Sequence, residues 1–217
     1  MSLKAVLFDL DGVIVNTAKY HYIAWKELAD KLGIYFDEDI NERLKGVSRM
    51  ASLEIILERA EKKYSGIKKE AFADEKNSRY VAMVKQLTPS EILPGVLDFL
   101  NELNAAGIRC AVCSASKSAG MIIDLLELND YFDAVFGGAD VTKPKPDPEI
   151  FILAQTRFGL APEECLVIED AFAGIEAAQT AGMRTMGIGD EKILTNADVV
   201  YRDMTCFSLA DVYEFFN

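Results

Sequence analysis

No stretch of this 217-residue chain approaches the roughly 20 consecutive apolar residues that a membrane span needs. The opening MSLKAVLFDLD sets two acids inside its most apolar run and does not read as a secretory leader. The expectation is a cytoplasmic protein with no membrane partner. Positive charge is short as well: 23 Lys and Arg stand against 35 Asp and Glu, a net charge of −12. Most of such a surface repels duplex nucleic acid, which excludes it as a partner, and any anionic ligand needs a local cluster of cations. Histidine is nearly missing; His21 is the only one, and on an amphipathic helix a lone histidine packs or meets solvent by default. There is no internal repeat or low-complexity tract. Cysteine is sparse too, at Cys110, Cys113, Cys165 and Cys206. The CxxC within RCAVCS lies on a strand pattern, where positions three apart point to opposite faces, whereas redox chemistry needs both thiols at a helix start. Four buried, reduced thiols are expected.

What is present is the balance of a packed globular chain, half apolar and 27% charged. Short Val- and Ile-rich runs alternate with helical periodicity, the pattern of a doubly wound (Rossmann-like) α/β fold with a parallel sheet. Strands are predicted at 4–9, 109–114, 132–137, 165–170 and 184–189, with an edge strand at 197–201. Helices are predicted at 94–106, 117–128, 147–159, 171–182 and 207–216, several of them ending at Gly. Residues 16–88 break the alternation with Lys- and Glu-rich helical sequence and no convincing strand. Helices at 18–32, 37–44, 50–62 and 68–86 make this an inserted four-helix cap domain, leaving 1–15 and 89–217 as the core domain. The two connections near 15–17 and 88–94 make a hinge motion mechanically available.

In an open parallel sheet the ligand lies beyond the carboxyl ends of the strands. There the sequence sets FDLDGVI (Phe8–Ile14), SASK (Ser114–Lys117), KPDPEIF (Lys145–Phe151) and the pair Glu169, Asp170. Several acids beside cations fit a hard divalent metal together with a phosphate, since Mg²⁺ takes oxygen ligands and keeps some waters. Asp9 and Asp11 stand two apart and so face the same side of a strand. As a plain pair of strand-end acids they would be costly, because apolar residues flank them on both sides.

These four motifs, in this order, resemble those of the haloacid dehalogenase superfamily, and nearly the whole chain resembles its β-phosphoglucomutase-like branch. The resemblance implies phosphoryl transfer through an aspartyl-phosphate enzyme, with Asp9 as nucleophile and Asp11 as general acid and base. It implies Mg²⁺ held by Asp9, the backbone carbonyl of Asp11, Glu169 and Asp170, and a phosphoryl clamp of Ser114, the backbone after it at Ala115, and a lysine. TKPKPDPEIF offers both Lys143 and Lys145; the spacing into the following helix favours Lys145. Within the insertion, KGVSRMAS resembles the mutase segment that binds the non-transferring phosphate, implicating Lys45, Gly46, Val47, Ser48, Arg49 and Ser52. A guanidinium at Arg49 would grip that phosphate bidentately; without the resemblance, Lys45 and Arg49 would read as a solvated face or ion pairs with acids such as Glu42. Trp25, Lys76 and Asn77 match positions lining the substrate pocket, Ser116 and Lys117 match its core-side contacts, and Thr17 and His21 match hinge residues. Read without the resemblance, Trp25 is core by its helical spacing and Lys76 is surface charge.

The expected activity is interconversion of β-glucose 1-phosphate and glucose 6-phosphate through a bisphosphate, by a monomer acting on a small phosphorylated sugar; a Mg²⁺-dependent sugar-phosphate phosphatase is the alternative. A phospho-receiver module would need neither Asp11 nor the helical insertion, and a dehalogenase would need no phosphate clamp. Asn16, Cys113 and Ser118 depart from the usual Asp, Ala and Asn, leaving the sugar preference more open than the reaction type.

Overall fold

A computed structural model describes residues 2–44 and 47–216. Six parallel strands form one sheet in the order β3-β2-β1-β4-β5-β6: β1 (Ala5–Phe8), β2 (Arg109–Cys113), β3 (Ala134–Phe136), β4 (Cys165–Glu169), β5 (Arg184–Ile188) and β6 (Val199–Tyr201). The order reverses between β1 and β4, so the loops leaving these two strands open a crevice at their carboxyl ends. The three central strands β1, β2 and β4 are apolar and buried nearly throughout, as a sheet covered on both faces requires. Edge strands β3 and β6 are only half-buried.

Strand alternation sorts the core into two layers. Val6, Phe8, Cys110, Val112, Leu166 and Ile168 point to one face, where they meet α5 (Val96–Ala105), α6 (Ala119–Leu125) and α9 (Leu209–Phe216). Ala5, Leu7, Ala111, Cys113, Cys165 and Val167 point to the other, against α7 (Glu149–Phe158) and α8 (Phe172–Thr180). Cys110 and Cys113 therefore lie on opposite faces of the sheet, which rules out a shared disulfide or metal, and burial pushes the Cys110 thiol up to about 12. Cys206 corrects the expectation of four buried thiols. It is exposed, in the surface loop after edge strand β6, where its thiol donates to Asp203 at 3.4 Å.

Between β1 and α5 come α1 (Ala18–Leu32), α2 (Glu38–Glu42), α3 (Arg49–Leu57) and α4 (Gly66–Val84). They surround an apolar cluster of their own, with Trp25, Leu28, Phe36, Leu53 and Ile56 at its centre. The predicted 50–62 helix stops at Leu57, because Glu58 and Arg59 beyond it are exposed and bury nothing. The inner ends of α1 and α4 reach back to the sheet layer through Ala24, Tyr80 and Val84. The two crossings run side by side: Val15 forms bridges with Asp11 and Ile92, and the Leu93 N–H donates to the Ile14 carbonyl at 2.9 Å. Among the described residues no helix is long and apolar enough to cross a membrane.

Candidate active site

Asp9 is the first residue past β1, Ser114 the first past β2 and Asp170 the first past β4, so three adjacent strands aim polar groups into one crevice. Lys145 enters from the loop before α7 and is 3% exposed. Its ammonium donates to Asp9 Oδ1 at 2.7 Å, to Glu169 Oε1 at 2.6 Å and to the Cys113 carbonyl at 2.9 Å, which uses all three of its protons. Lys143 instead lies at the surface and pairs with Asp147 at 3.4 Å. Ser114 Oγ accepts from the Ser116 N–H at 3.1 Å, an arrangement that leaves its own proton to donate. Glu169 Oε2 accepts from the N–H groups of Asp170 and Ala171 at 2.7 and 3.0 Å.

Two glycines make this closeness possible. At Gly12, with φ +84°, a Cβ would collide with the Asp170 carboxylate, and at Gly174, in the first turn of α8, it would collide with that of Glu169. One oxygen from each of Asp9, Glu169 and Asp170 lies within 4.8 Å of the others, a spacing that a single divalent cation can bridge. The electrostatics fit such a cation. Burial, and then the Glu169 charge, raise the Asp9 pKa in spite of Lys145; burial, and then the Asp9 charge, raise that of Asp11 to about 7. The cluster is short of positive charge, and hard carboxylate oxygens are the donors that Mg²⁺ prefers. Burial opposes the charge on Lys145 as well, but Asp9 and Glu169 outweigh it and hold its pKa above the ordinary lysine value.

A cavity of about 470 Å³ joins this cluster to the helical insertion. On the sheet side it is lined by Asp9, Asp11, Ser114, Ala115, Ser116, Lys117, Lys145, Glu169 and Asp170, and on the helical side by His21, Trp25, Val47, Ser48, Arg49, Ser52, Lys76 and Asn77. Ser48 caps α3, accepting from the Ala51 N–H at 3.3 Å, and Arg49 follows it with a long 3.4 Å contact to Asp74. Lys76, which as plain sequence reads as surface charge, is buried; its ammonium lies 2.7 Å from His21 Nδ1 and 4.6 Å from the centre of the Trp25 ring. Burial, and then the Arg49 charge, lower its pKa to about 7, and burial followed by the Lys76 charge lowers that of His21. Trp25 is both core and cavity wall. Thr17 is fully buried behind the wall and donates its hydroxyl proton to Asp11 Oδ1. Lys45 and Gly46 lie outside the described residues.

The model of one family, haloacid dehalogenase-like hydrolase, matches residues 3–182. The chain belongs to that family. It is 42% identical over 214 residues to the β-phosphoglucomutase of Bacillus subtilis, covering 98% of this chain and 95% of that protein. It is 31% identical to a phosphorylated carbohydrates phosphatase of Thermotoga maritima, covering 91% and 93%. A crystal structure of β-phosphoglucomutase from Clostridium difficile superposes with a TM-score of 0.94 at 40% identity, covering 99% of this chain and 97% of that one. This member of the haloacid dehalogenase-like hydrolases therefore sits in the β-phosphoglucomutase-like branch and is an enzyme of phosphoryl transfer.

Sequence reasoning missed several parts of this family member's cavity. Tyr80 lines it and touches Thr17, His21 and Lys76; its one signal was its place four residues after Lys76, on the same face of a helix. Gly138 and the 141–144 stretch also form wall, because the loop after β3 ends at the same side of the sheet as the motifs. Gly174 carried no sequence signal, since only the folded approach of Glu169 makes it necessary.

Proposed function

We propose that the protein is a β-phosphoglucomutase that interconverts β-glucose 1-phosphate and glucose 6-phosphate through the 1,6-bisphosphate, as a cytoplasmic monomer with residues 16–88 as its cap domain. The observation that carries this reading is the single cavity with a phosphoryl-transfer cluster at one end and Arg49 and Lys76 at the other. A hydrolase needs to hold one phosphate, whereas a mutase must hold a second while the first reacts. The 42% identity to the B. subtilis mutase supports it independently.

In this reading an Asp9 carboxylate oxygen attacks phosphorus, the bond to the donor oxygen breaks, and the mixed anhydride forms on Asp9. Lys145, Ser114 and the backbone N–H groups after Ser114 neutralise the charge spread over the phosphoryl oxygens. Asp11 takes the proton of the accepting sugar hydroxyl and returns a proton to the leaving oxygen in the reverse step; its pKa of about 7 suits both directions near neutral pH. Asp9, the Asp11 carbonyl, Glu169 and Asp170 would hold Mg²⁺, which when bound supplies positive charge against the transferring group. Arg49, with Val47 and Ser48 of the same segment and Lys76 from α4, holds the distal phosphate, while Trp25, Ser52, Asn77, Ser116 and Lys117 line the rest of the substrate pocket; Lys45, outside the described residues, is assigned to that phosphate by the resemblance alone. Thr17 and His21 couple the position of the cap to Asp11.

The Thermotoga relative makes a sugar-phosphate phosphatase the second reading. Supplying β-glucose 1-phosphate with a trace of glucose 1,6-bisphosphate decides between them. Glucose 6-phosphate without stoichiometric inorganic phosphate is the expected product; inorganic phosphate released in step with substrate loss would mean the phosphatase.

A further inference from the structure

Behind Asp11, side chains from distant parts of the chain meet. Thr17 is the N-cap of α1, a position where a threonine hydroxyl ordinarily accepts from a free backbone N–H of the first turn. It makes no such bond; its proton goes to Asp11 Oδ1. Tyr80, 63 residues later in α4, brings its phenolic oxygen to 3.2 Å from Thr17 Oγ1. A hydroxyl owns one proton, and Thr17 has spent it on Asp11, so in this contact Tyr80 donates and Thr17 accepts; Ser116, which also bonds the phenol and whose Oγ already accepts from the Ser118 N–H, has its own proton to give to the phenolic oxygen. The Tyr80 ring cannot swing away. It is 1% exposed, the His21 ring lies 4.0 Å from it centre to centre, and the Lys76 ammonium sits 5.0 Å from its centroid. Burial, and then the Asp11 charge, raise the Tyr80 pKa, so the phenol keeps the proton it donates.

We propose that Tyr80 is a positioning residue for the transfer reaction: its hydroxyl locks the Thr17 rotor so that Thr17 holds the Asp11 carboxylate in one orientation. The inference rests on the reading of Asp11 as general acid and base. A lone threonine hydroxyl can rotate and let the carboxylate drift; a second donor on its lone pair makes the alternative rotamers lose a buried hydrogen bond, and linked hydrogen bonds strengthen one another. Because Tyr80 belongs to α4 and Thr17 to the crossing next to β1, the chain also makes the orientation of Asp11 depend on how the helical insertion sits. If the ring were only core filling, phenylalanine would serve as well.

Tyr80→Phe removes the oxygen and keeps the ring. With whichever sugar phosphate the wild type turns over, by transfer or hydrolysis, kcat should fall about tenfold while KM moves less than twofold. Phosphorylation of Asp9 by acetyl phosphate, whose leaving group needs no proton, should fall much less. On a Thr17→Ala background the Tyr80→Phe change should cost far less than it does alone, since the link it feeds is gone and only the bond to Ser116 is left to lose. An unchanged kcat, an equal loss of both reactions, or additive losses in the double variant would each overturn the inference. A wild type that turns over no sugar phosphate would instead overturn the reading of the reaction, and the inference with it.

Discussion

At the scale of single residues, Asp9 and Asp11 stand two positions apart yet have different company. Asp9 is gripped by Lys145, while Asp11 accepts from Thr17. Asp9→Asn should abolish all phosphoryl transfer, because an amide cannot form the anhydride. Asp11→Asn should retain slow phosphorylation by acetyl phosphate and lose roughly 10² to 10⁴ in transfer to a sugar hydroxyl, the range typical of removing general acid or base catalysis; rapid acid quench measures both. Lys76 makes a prediction about stability. Its folded pKa of about 7 lies below the ordinary value of 10.5, so between those limits the unfolded chain binds more protons and stability rises with pH. Below about pH 7 the full cost of the buried ammonium is felt. Lys76→Met should therefore stabilise the protein more at pH 6 than at pH 9, by about 3 kcal/mol, at roughly 1.4 kcal/mol for each tenfold step in proton affinity. Urea unfolding at the two pH values checks this, and an equal gain at both would contradict it.

Among the elements, the start of α8 has an importance that its composition hides. Gly174 lies in the first turn of that helix, where alanine would be the better helix former, yet the Glu169 carboxylate occupies the space of a Cβ. Gly174→Ala should push Glu169 off both Lys145 and the backbone N–H groups that orient it. The expected result is a helix left intact by circular dichroism with Mg²⁺ affinity lowered about 10- to 100-fold in a calorimetric titration, the usual cost of disturbing what orients a ligand. Unchanged affinity would remove Glu169 from the proposed metal site. The strands were legible element by element because each is a short Val- and Ile-rich run, and the fold class followed from their alternation with helices. Helix ends were less legible: α3 stops at Leu57 since burial, not periodicity, decides where a helix ceases to be worth forming.

For the molecule as a whole, a chain with net charge −12 encloses a cavity with cations at both ends, Lys145 on the sheet side and Arg49 and Lys76 on the helical side, so anions are favoured there over most of the surface. Arg49→Ala should lower kcat/KM for β-glucose 1-phosphate by about 10- to 100-fold, the worth of a charged hydrogen-bonding group lost from a phosphate. Reaction with acetyl phosphate, which has no distal phosphate, should fall far less. Equal losses would show that Arg49 supports the fold and not recognition.

What the sequence determined by itself is whatever depends on neighbours along the chain. The buried strands, and the acids and the serine just past their carboxyl ends, follow from local pattern and spacing; the choice of Lys145 over Lys143 came from the resemblance, and Lys145 is the one that reaches Asp9. Tertiary structure alone decided what depends on neighbours across space. It turned Lys76 inward, left Cys206 exposed, brought Tyr80 to Thr17 across 63 residues, and made Gly174 indispensable beside Glu169. The reason is physical: a strand or helix pattern records which face is apolar, but not which other element will cover it, and these contacts exist only once that cover is chosen.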